Sequence, residues 1–298
     1  MNHASAAAIA SYRLERLLGS GSSASVYLAQ DQRNGQWVAL KILAPEGSAQ
    51  PHGPDHAELR SRFLQEAEII KRMRHPDIVA VLDTGDEAGR LWLAMELAPG
   101  CALERYTRPD RLLPVAVALQ IGWRIAGALA YAHAQGVVHR DLKPSNVLVD
   151  VAASGVKLAD FGTARLLDHC RTRTEILLGT PAYMAPELLA GNPADAACDL
   201  YALGVVLFET LSGHRPHESV SMGELIRQVA SDPAPDLRER MPGLSAPLAH
   251  VVARLLSKQP GDRPASARQV ADELAAAAAT SPVACPNQPA GHNGVISR

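Results

Sequence analysis

His139-Arg140-Asp141-Leu142-Lys143-Pro144-Ser145-Asn146 is the stretch on which the reading of this chain turns. An aspartate five residues before an asparagine can put a carboxylate beside a hydroxyl and an amide oxygen beside a metal ion. A polar loop that merely follows a helix would not need this order of residue types. Nineteen residues beyond Asp141 stands Asp160-Phe161-Gly162. Aspartate offers hard oxygen, the ligand type that Mg²⁺ takes. A lone triplet of this kind arises by chance, but in this order and at this spacing chance explains it poorly.

Upstream of the first motif, Pro114–Gln135 sets Val117, Ile121, Ile125 and Leu129 four apart, one apolar helical stripe. Pro114 suits the first turn and Gly136 the stop. Further upstream the text is strand-like: Tyr12–Gly19, Ser25–Gln30, Gln36–Leu43, Ile78–Asp83 and Leu91–Leu97. Turn signals at Arg33-Asn34-Gly35 and Glu87-Ala88-Gly89 separate some of these runs. One helical stretch, Leu59–Met73, interrupts them, with Phe63, Ala67 and Ile70 at helical spacing and Arg62 and Glu66 among its polar positions. Pro45–Pro54 reads as a flexible loop.

Within the strand-rich part, Gly19-Ser20-Gly21-Ser22-Ser23-Ala24-Ser25-Val26 falls between two strands. Glycine backbone can approach phosphate closely, with its N–H groups as donors. The run serves equally as a tight turn. It precedes a strand instead of opening a helix, which argues against a dinucleotide-binding fold. Val38-Ala39-Leu40-Lys41 follows, and strand alternation puts Lys41 on the face of Ala39. A strand lysine is commonly a solvated charge. Here the chain has only five lysines, and two of them, Lys41 and Lys143, fall inside these motifs.

Downstream, Gly179-Thr180-Pro181-Ala182-Tyr183-Met184-Ala185-Pro186-Glu187 reads as a loop closing a domain, with Glu187 expected to pair with Arg263. Helices are expected at Asp195–Leu211, strongly apolar and hence buried, and at Met222–Ala230, Pro247–Ser257 and Ser266–Ala279. Residues 1–11 read as a loosely held arm and 280–298 as a disordered tail. A small strand-rich half followed by a larger helical half predicts an α+β chain with a cleft between two lobes.

Composition narrows the function classes. Among 298 residues, 31 are acidic and 29 basic, a formal net charge of −2, which excludes a broadly basic nucleic-acid binder. Hydrophobic residues at 47% supply a sizeable core. The four cysteines show no CxxC spacing, so neither a zinc site nor a disulfide framework is expected, and a reducing, cytoplasmic setting fits. No stretch reads as a membrane span or a signal peptide, so no membrane partner is expected.

Taken together, these motifs resemble the eukaryotic-type (Hanks-type) Ser/Thr protein kinases, in particular their bacterial branch. The likeness runs from about Tyr12 to Ala278, with elements in the family's order. The glycine loop departs from the family pattern at its last glycine, here Ala24. The resemblance implies a bilobal fold, with a β-rich N-lobe of about 12–97 carrying one main helix and a helical C-lobe of about 98–279. It implies transfer of the γ-phosphoryl group of ATP to Ser/Thr hydroxyls of protein substrates, with Mg²⁺ and with Mn²⁺ able to replace it. Gly19, Ser20, Gly21 and Val26 would cover the nucleotide. Lys41 would contact its phosphates and pair with Glu66, Glu68 being the alternative. Met95 would act as gatekeeper, Glu96 and Leu97 as the adenine-binding hinge, and Ala39 and Leu148 as the two sides of the adenine slot. Asp141 would accept the substrate proton, Lys143 would steady the phosphate, and Asn146 and Asp160 would hold the metal. Thr172 and Thr174 are the expected autophosphorylation sites, with a second copy of the chain as the partner for phosphorylation in trans. A nucleotide-binding pseudokinase or scaffold is the alternative, weakened by the presence of Lys41, Asp141, Asn146 and Asp160 together.

Overall fold

Alternation along the strands of the first half decides which side chains meet the cleft. The computed structural model describes residues 8–21, 24–43, 54–161 and 181–280. Strands β1 (Ala8–Ile9), β2 (Tyr12–Ser20), β3 (Ala24–Asp31), β4 (Trp37–Leu43), β5 (Val81–Glu87) and β6 (Arg90–Glu96) form one antiparallel sheet. Their order is β1-β2-β3-β4-β6-β5. Val38 and Leu40 of β4, with Trp92 and Ala94 of β6, join Ile9, Tyr12 and Ala29 in a small outer core. Leu43, Leu93 and Met95 turn to the opposite face and enter the main core. Lys41 stands on that second face, flanked across the strands by Val26 and Leu93. Side chains alternate with period two, so a one-residue slip of β4 would turn Lys41 outward.

Helix α1 (Pro54–Arg72) lays Phe63, Ala67 and Ile70 into the same main core. Ion pairs Arg60–Asp86 (2.6 Å) and Lys71–Asp83 (3.5 Å) tie it to β5. The loop between α1 and β5 is anchored to the helical half. The Arg74 N–H donates to the Tyr131 hydroxyl (2.8 Å), and Arg124 hydrogen-bonds the Asp77 carboxylate.

The second half begins with a three-stranded antiparallel sheet, β7 (Cys101–Ala102), β8 (Val147–Asp150) and β9 (Gly155–Leu158). Among the described residues its helices are α2 (Val115–Ala134), α3 (Pro186–Leu189), α4 (Ala196–Ser212), α5 (Met222–Ser231), α6 (Leu237–Arg240), α7 (Ala246–Leu255) and α8 (Ala267–Thr280). α4 is buried along most of its length. Asp195 caps its start by accepting the Ala197 N–H, and Gly213 ends it at φ 77°. α2 packs against both α4 and α8. Gly122 permits that approach: a Cβ there would lie 2.4 Å from Leu207 Cδ2.

Two expectations need correction. The arm over 1–11 is ordered at its inner end, where Ala8 and Ile9 pair with Arg13 and Tyr12 and Ile9 is buried in the outer core. α1 begins at Pro54, five residues before the expected Leu59. The stretch after Gly100 is mostly helical, with the short strands β7, β8 and β9 set among its helices. By length and composition alone, α2 is long and apolar enough to cross a membrane. Half of its most apolar window is buried inside the protein, as befits a core helix. The expected tail, apart from Thr280 at the end of α8, lies outside the described residues.

Candidate active site

Arg140 sits at φ +71° and Asp160 at φ +63°, the left-handed region that non-glycine residues avoid. Such backbone persists only where the surroundings impose it. Asp199, on α4 and 1% exposed, imposes the first. Its Oδ2 accepts the His139 N–H and its Oδ1 the Arg140 N–H, both at 2.8 Å, while the His133 ring nitrogen lies 2.8 Å from Oδ2. A buried carboxylate thus holds the loop 139–146 from behind.

His139 is fully buried and packs on Phe161, with ring centroids 4.6 Å apart. Its Nδ1 accepts the Asp141 N–H (3.3 Å), which leaves Nε2 as the donor to the Ala159 carbonyl (2.9 Å). Both ring nitrogens are occupied, so His139 is a packing residue here. Ile70, Val81 and Phe161 are buried with it.

In front of this support the chemical groups cluster. Lys143 Nζ lies 2.8 Å from Asp141 Oδ2 and 3.1 Å from Oδ1. Asn146 Nδ2 donates to the Asp141 carbonyl (2.7 Å) and to Asp141 Oδ2 (3.1 Å). The Asn146 amide nitrogen is thereby committed to Asp141, which leaves its oxygen as the ligand atom. The Ala159 N–H donates to the Asn146 carbonyl (2.8 Å), which sets Asp160 beside the same loop.

Lys41 crosses from the sheet to meet this cluster. Its Nζ lies 2.8 Å from Asp160 Oδ1, joining residues 119 positions apart. Burial acts to raise the Asp160 pKa, but the Lys41 ammonium outweighs it by charge and hydrogen bond, helped by His139 and Lys143. The carboxyl is held below the ordinary aspartate range and stays ionised at neutral pH. Glu66, half-buried on α1, borders a cavity of about 100 Å³ with Ile69, Ile70, Val137, Val138 and Arg140.

Across the sheet face that carries Lys41, Ala39 pairs with Met95 and with Leu28. Ala39 and Leu148 both pack against the main core while staying partly exposed. Gly19 pairs with Val26 and Ser20 with Ser25, and the Gly21 N–H donates to the Ala24 carbonyl (2.9 Å), closing the turn. A Cβ on Gly19 would meet nothing within 4 Å, so the protein itself supplies no steric demand for glycine there. The β2–β3 register shifts between Leu17 and Gly19. Leu18, at that bulge and 40% exposed, was not singled out from the sequence, and no residue pattern marks a bulge in advance.

At the end of β6, the Glu96 N–H donates to the Ala80 carbonyl (2.9 Å), and Leu97 is exposed. Gly162, Thr163, Thr172, Thr174, Gly179 and Thr180 lie outside the described residues. Beyond them, Arg263 grips Glu187 with two bonds of 2.6 and 2.8 Å, the pairing expected from the sequence. Trp92 is buried edge-on against Tyr12 (5.3 Å), whereas Trp123 is 48% exposed on α2.

Fold and site together define the class: a two-lobed kinase-type domain, with one lysine reaching an aspartate across the cleft above a loop holding a second aspartate, a lysine and an asparagine. Residues 12–274 match the family described as protein kinase domain. The chain is 42% identical over 275 residues to serine/threonine-protein kinase PknJ of Mycobacterium tuberculosis, covering 90% of this chain and 45% of that protein. It is 40% identical over 268 residues to the DNA damage-responsive serine/threonine-protein kinase RqkA of Deinococcus radiodurans, covering 87% and 38%. The crystal structure of Rad53 1-466 in complex with AMP-PNP shares the fold, with a TM-score of 0.73 at 24% identity over 88% of this chain and 64% of that one. The chain belongs to the protein kinase family, in its bacterial serine/threonine branch. It spans less than half the length of these curated relatives. The family as a whole uses ATP and a divalent metal.

Proposed function

We propose that this chain is an active serine/threonine protein kinase domain that transfers the γ-phosphoryl group of ATP to protein hydroxyls. The observation that carries the reading is the convergence of Lys41–Asp160 with Asp141, Lys143 and Asn146 at one cleft. Phosphoryl transfer redistributes negative charge over oxygens, and cations and donors fixed in advance stabilise it at little reorganisation cost.

The donor set fits a hard divalent cation: one ionised carboxylate, Asp160, and one amide oxygen, Asn146, brought to the same loop. We assign Mg²⁺ to them, with Mn²⁺ able to replace it. When bound, the cation supplies charge neutralisation of the phosphate oxygens. Asp141 orients the substrate hydroxyl and takes its proton as the oxygen attacks the γ-phosphorus. The bond to the β–γ bridging oxygen breaks and ADP leaves. A positioned base of this kind contributes about 10²–10⁴-fold. Lys143, against the Asp141 carboxylate, keeps positive charge where the phosphoryl group passes. Lys41 steadies the α- and β-phosphates, with Glu66 assigned as its second carboxylate.

Gly19, Ser20, Gly21 and Val26 cover the nucleotide from above, and Ala39 and Leu148 bracket the base beside Met95. Leu18 joins this lining. The Glu96 N–H is already spent on Ala80, so the hinge groups assigned to adenine are the Glu96 carbonyl and the Leu97 backbone. We place the domain in the cytoplasm, where ATP is available and its thiols stay reduced.

Incubation with labelled ATP, Mg²⁺ and a generic protein substrate tests the reading. Label is expected on serine and threonine, and none on protein would contradict it. We further assign autophosphorylation to Thr172 and Thr174, a second copy of the chain acting in trans. A phosphothreonine of charge about −1.5 to −2 orders a loop by pairing with arginine. A phosphopeptide map of active enzyme with both residues unmodified rejects that assignment.

A further inference from the structure

Glu96 does more than end a strand. Its Oε1 lies 2.5 Å from Lys157 Nζ of β9, and its Oε2 accepts the Ala80 N–H at 3.1 Å. Lys157 Nζ also donates to the Ile78 carbonyl at 3.4 Å. Three segments therefore meet at one carboxylate: the end of β6, the loop entering β5, and β9.

The same corner is stitched by backbone. The Val79 N–H donates to the Leu158 carbonyl (2.9 Å) and the Leu158 N–H to the Asp77 carbonyl (2.8 Å). Leu158 stands two residues before Asp160. Arg124 of α2 holds both sides of this seam, bonding the Asp77 carboxylate and the Ser154 carbonyl. Lys157 pairs across the strands with Leu148, so the two side chains rise from one face of the small sheet. The ammonium thus stands beside the residue assigned to the floor of the adenine slot.

We propose that the Glu96–Lys157 pair is a clamp, fixing the nucleotide-binding edge of β6 against the strand that leads to Asp160. Lys157 is then a positioning residue, since it touches neither substrate. The proposal rests on the reading of Met95–Leu97 as the nucleotide edge. A partly exposed ion pair alone contributes little. This one differs because the second carboxylate oxygen is committed to a backbone N–H of a third segment, so Glu96 cannot follow Lys157 outward without breaking that bond.

The test compares wild type, Lys157→Met, Lys157→Arg, Glu96→Gln and the Glu96→Gln/Lys157→Met double variant. Each is measured for nucleotide Kd by calorimetry, for KM and kcat with ATP and peptide, and for thermal midpoint. Lys157→Met is expected to raise Kd and KM for ATP roughly three- to tenfold, as for a charge pair reinforced by a hydrogen bond. The KM for peptide and the thermal midpoint stay unchanged, and Lys157→Arg recovers most of the loss. The double variant is no worse than the poorer single one, because the two groups act as a unit. Wild-type binding of ATP with Lys157→Met unmoved overturns the clamp alone. Simple addition of the two single effects, or a lowered midpoint with unchanged Kd, also overturns it. Wild type that binds no nucleotide overturns the cleft assignment and the clamp with it.

Discussion

Glu187–Arg263 and Lys41–Asp160 are both carboxylate–cation pairs inside the protein, and both join residues distant in sequence. In the first, every N–H of the guanidinium is used: Glu187 takes two, and the carbonyls of Ala197, Ser257 and Lys258 take the rest. Arg263 also stacks over Tyr201 at 5.1 Å, and its side chain is fully buried. A rigid fork with all donors engaged welds one half of the molecule and offers nothing to a ligand. In the second, a point charge on a flexible stem crosses between halves to a residue at positive φ. Lysine on its long stem can reorient its ammonium towards phosphate. The residue type of the cation, fork or point, separates the structural pair from the one assigned to chemistry.

The largest expected effect breaks the second pair. Asp160→Ala or Lys41→Ala should lower turnover by more than about 10²-fold, because preorganised charge is lost where negative charge develops. Circular dichroism should still show a folded domain. A variant with full phosphotransfer would equate the two pairs and remove the distinction.

Breaking the first pair should do the reverse. Arg263→Ala leaves Glu187 buried without its partner and should cost about 3–5 kcal/mol in urea unfolding. The kcat of the folded fraction should match wild type. Burial acts to raise the Glu187 carboxyl, but Arg263 outweighs it and holds the group below its ordinary value of 4.5. A depressed carboxylate stabilises above its unfolded-state value and loses that contribution as pH falls through the folded one. Wild-type stability should therefore decline below about pH 4.5, and Glu187→Gln should flatten that limb.

Smaller effects sharpen the glycine loop. A methyl group at residue 19 meets no protein atom. Gly19→Ala should thus leave unfolding free energy within about 0.5 kcal/mol while weakening nucleotide binding severalfold. Equal nucleotide affinity would assign the glycine to the turn alone.

Much of this is legible in the sequence. Alternation placed Lys41 with Ala39 on the cleft face, and the helical spacing of Phe63, Ala67 and Ile70 gave the buried stripe of α1. The Glu187–Arg263 pair, expected as a structural salt bridge, is found as one. What escaped was written in short or non-local terms. β8 and β9 have four residues each, too few for periodicity to declare them. The Glu96–Lys157 contact depends on a strand pairing that no local pattern encodes. Trp123 faces outward because α2 buries its small and aliphatic residues against α4 and α8 instead.

Intact-mass analysis of wild type beside Asp141→Asn, each incubated with ATP and Mg²⁺, tests the central claim most directly. The account predicts phosphoryl additions on wild type, confined to serine and threonine, and almost none on the variant over the same time. Equal phosphorylation of both would remove Asp141 from the reaction and, with it, the role assigned to the cleft.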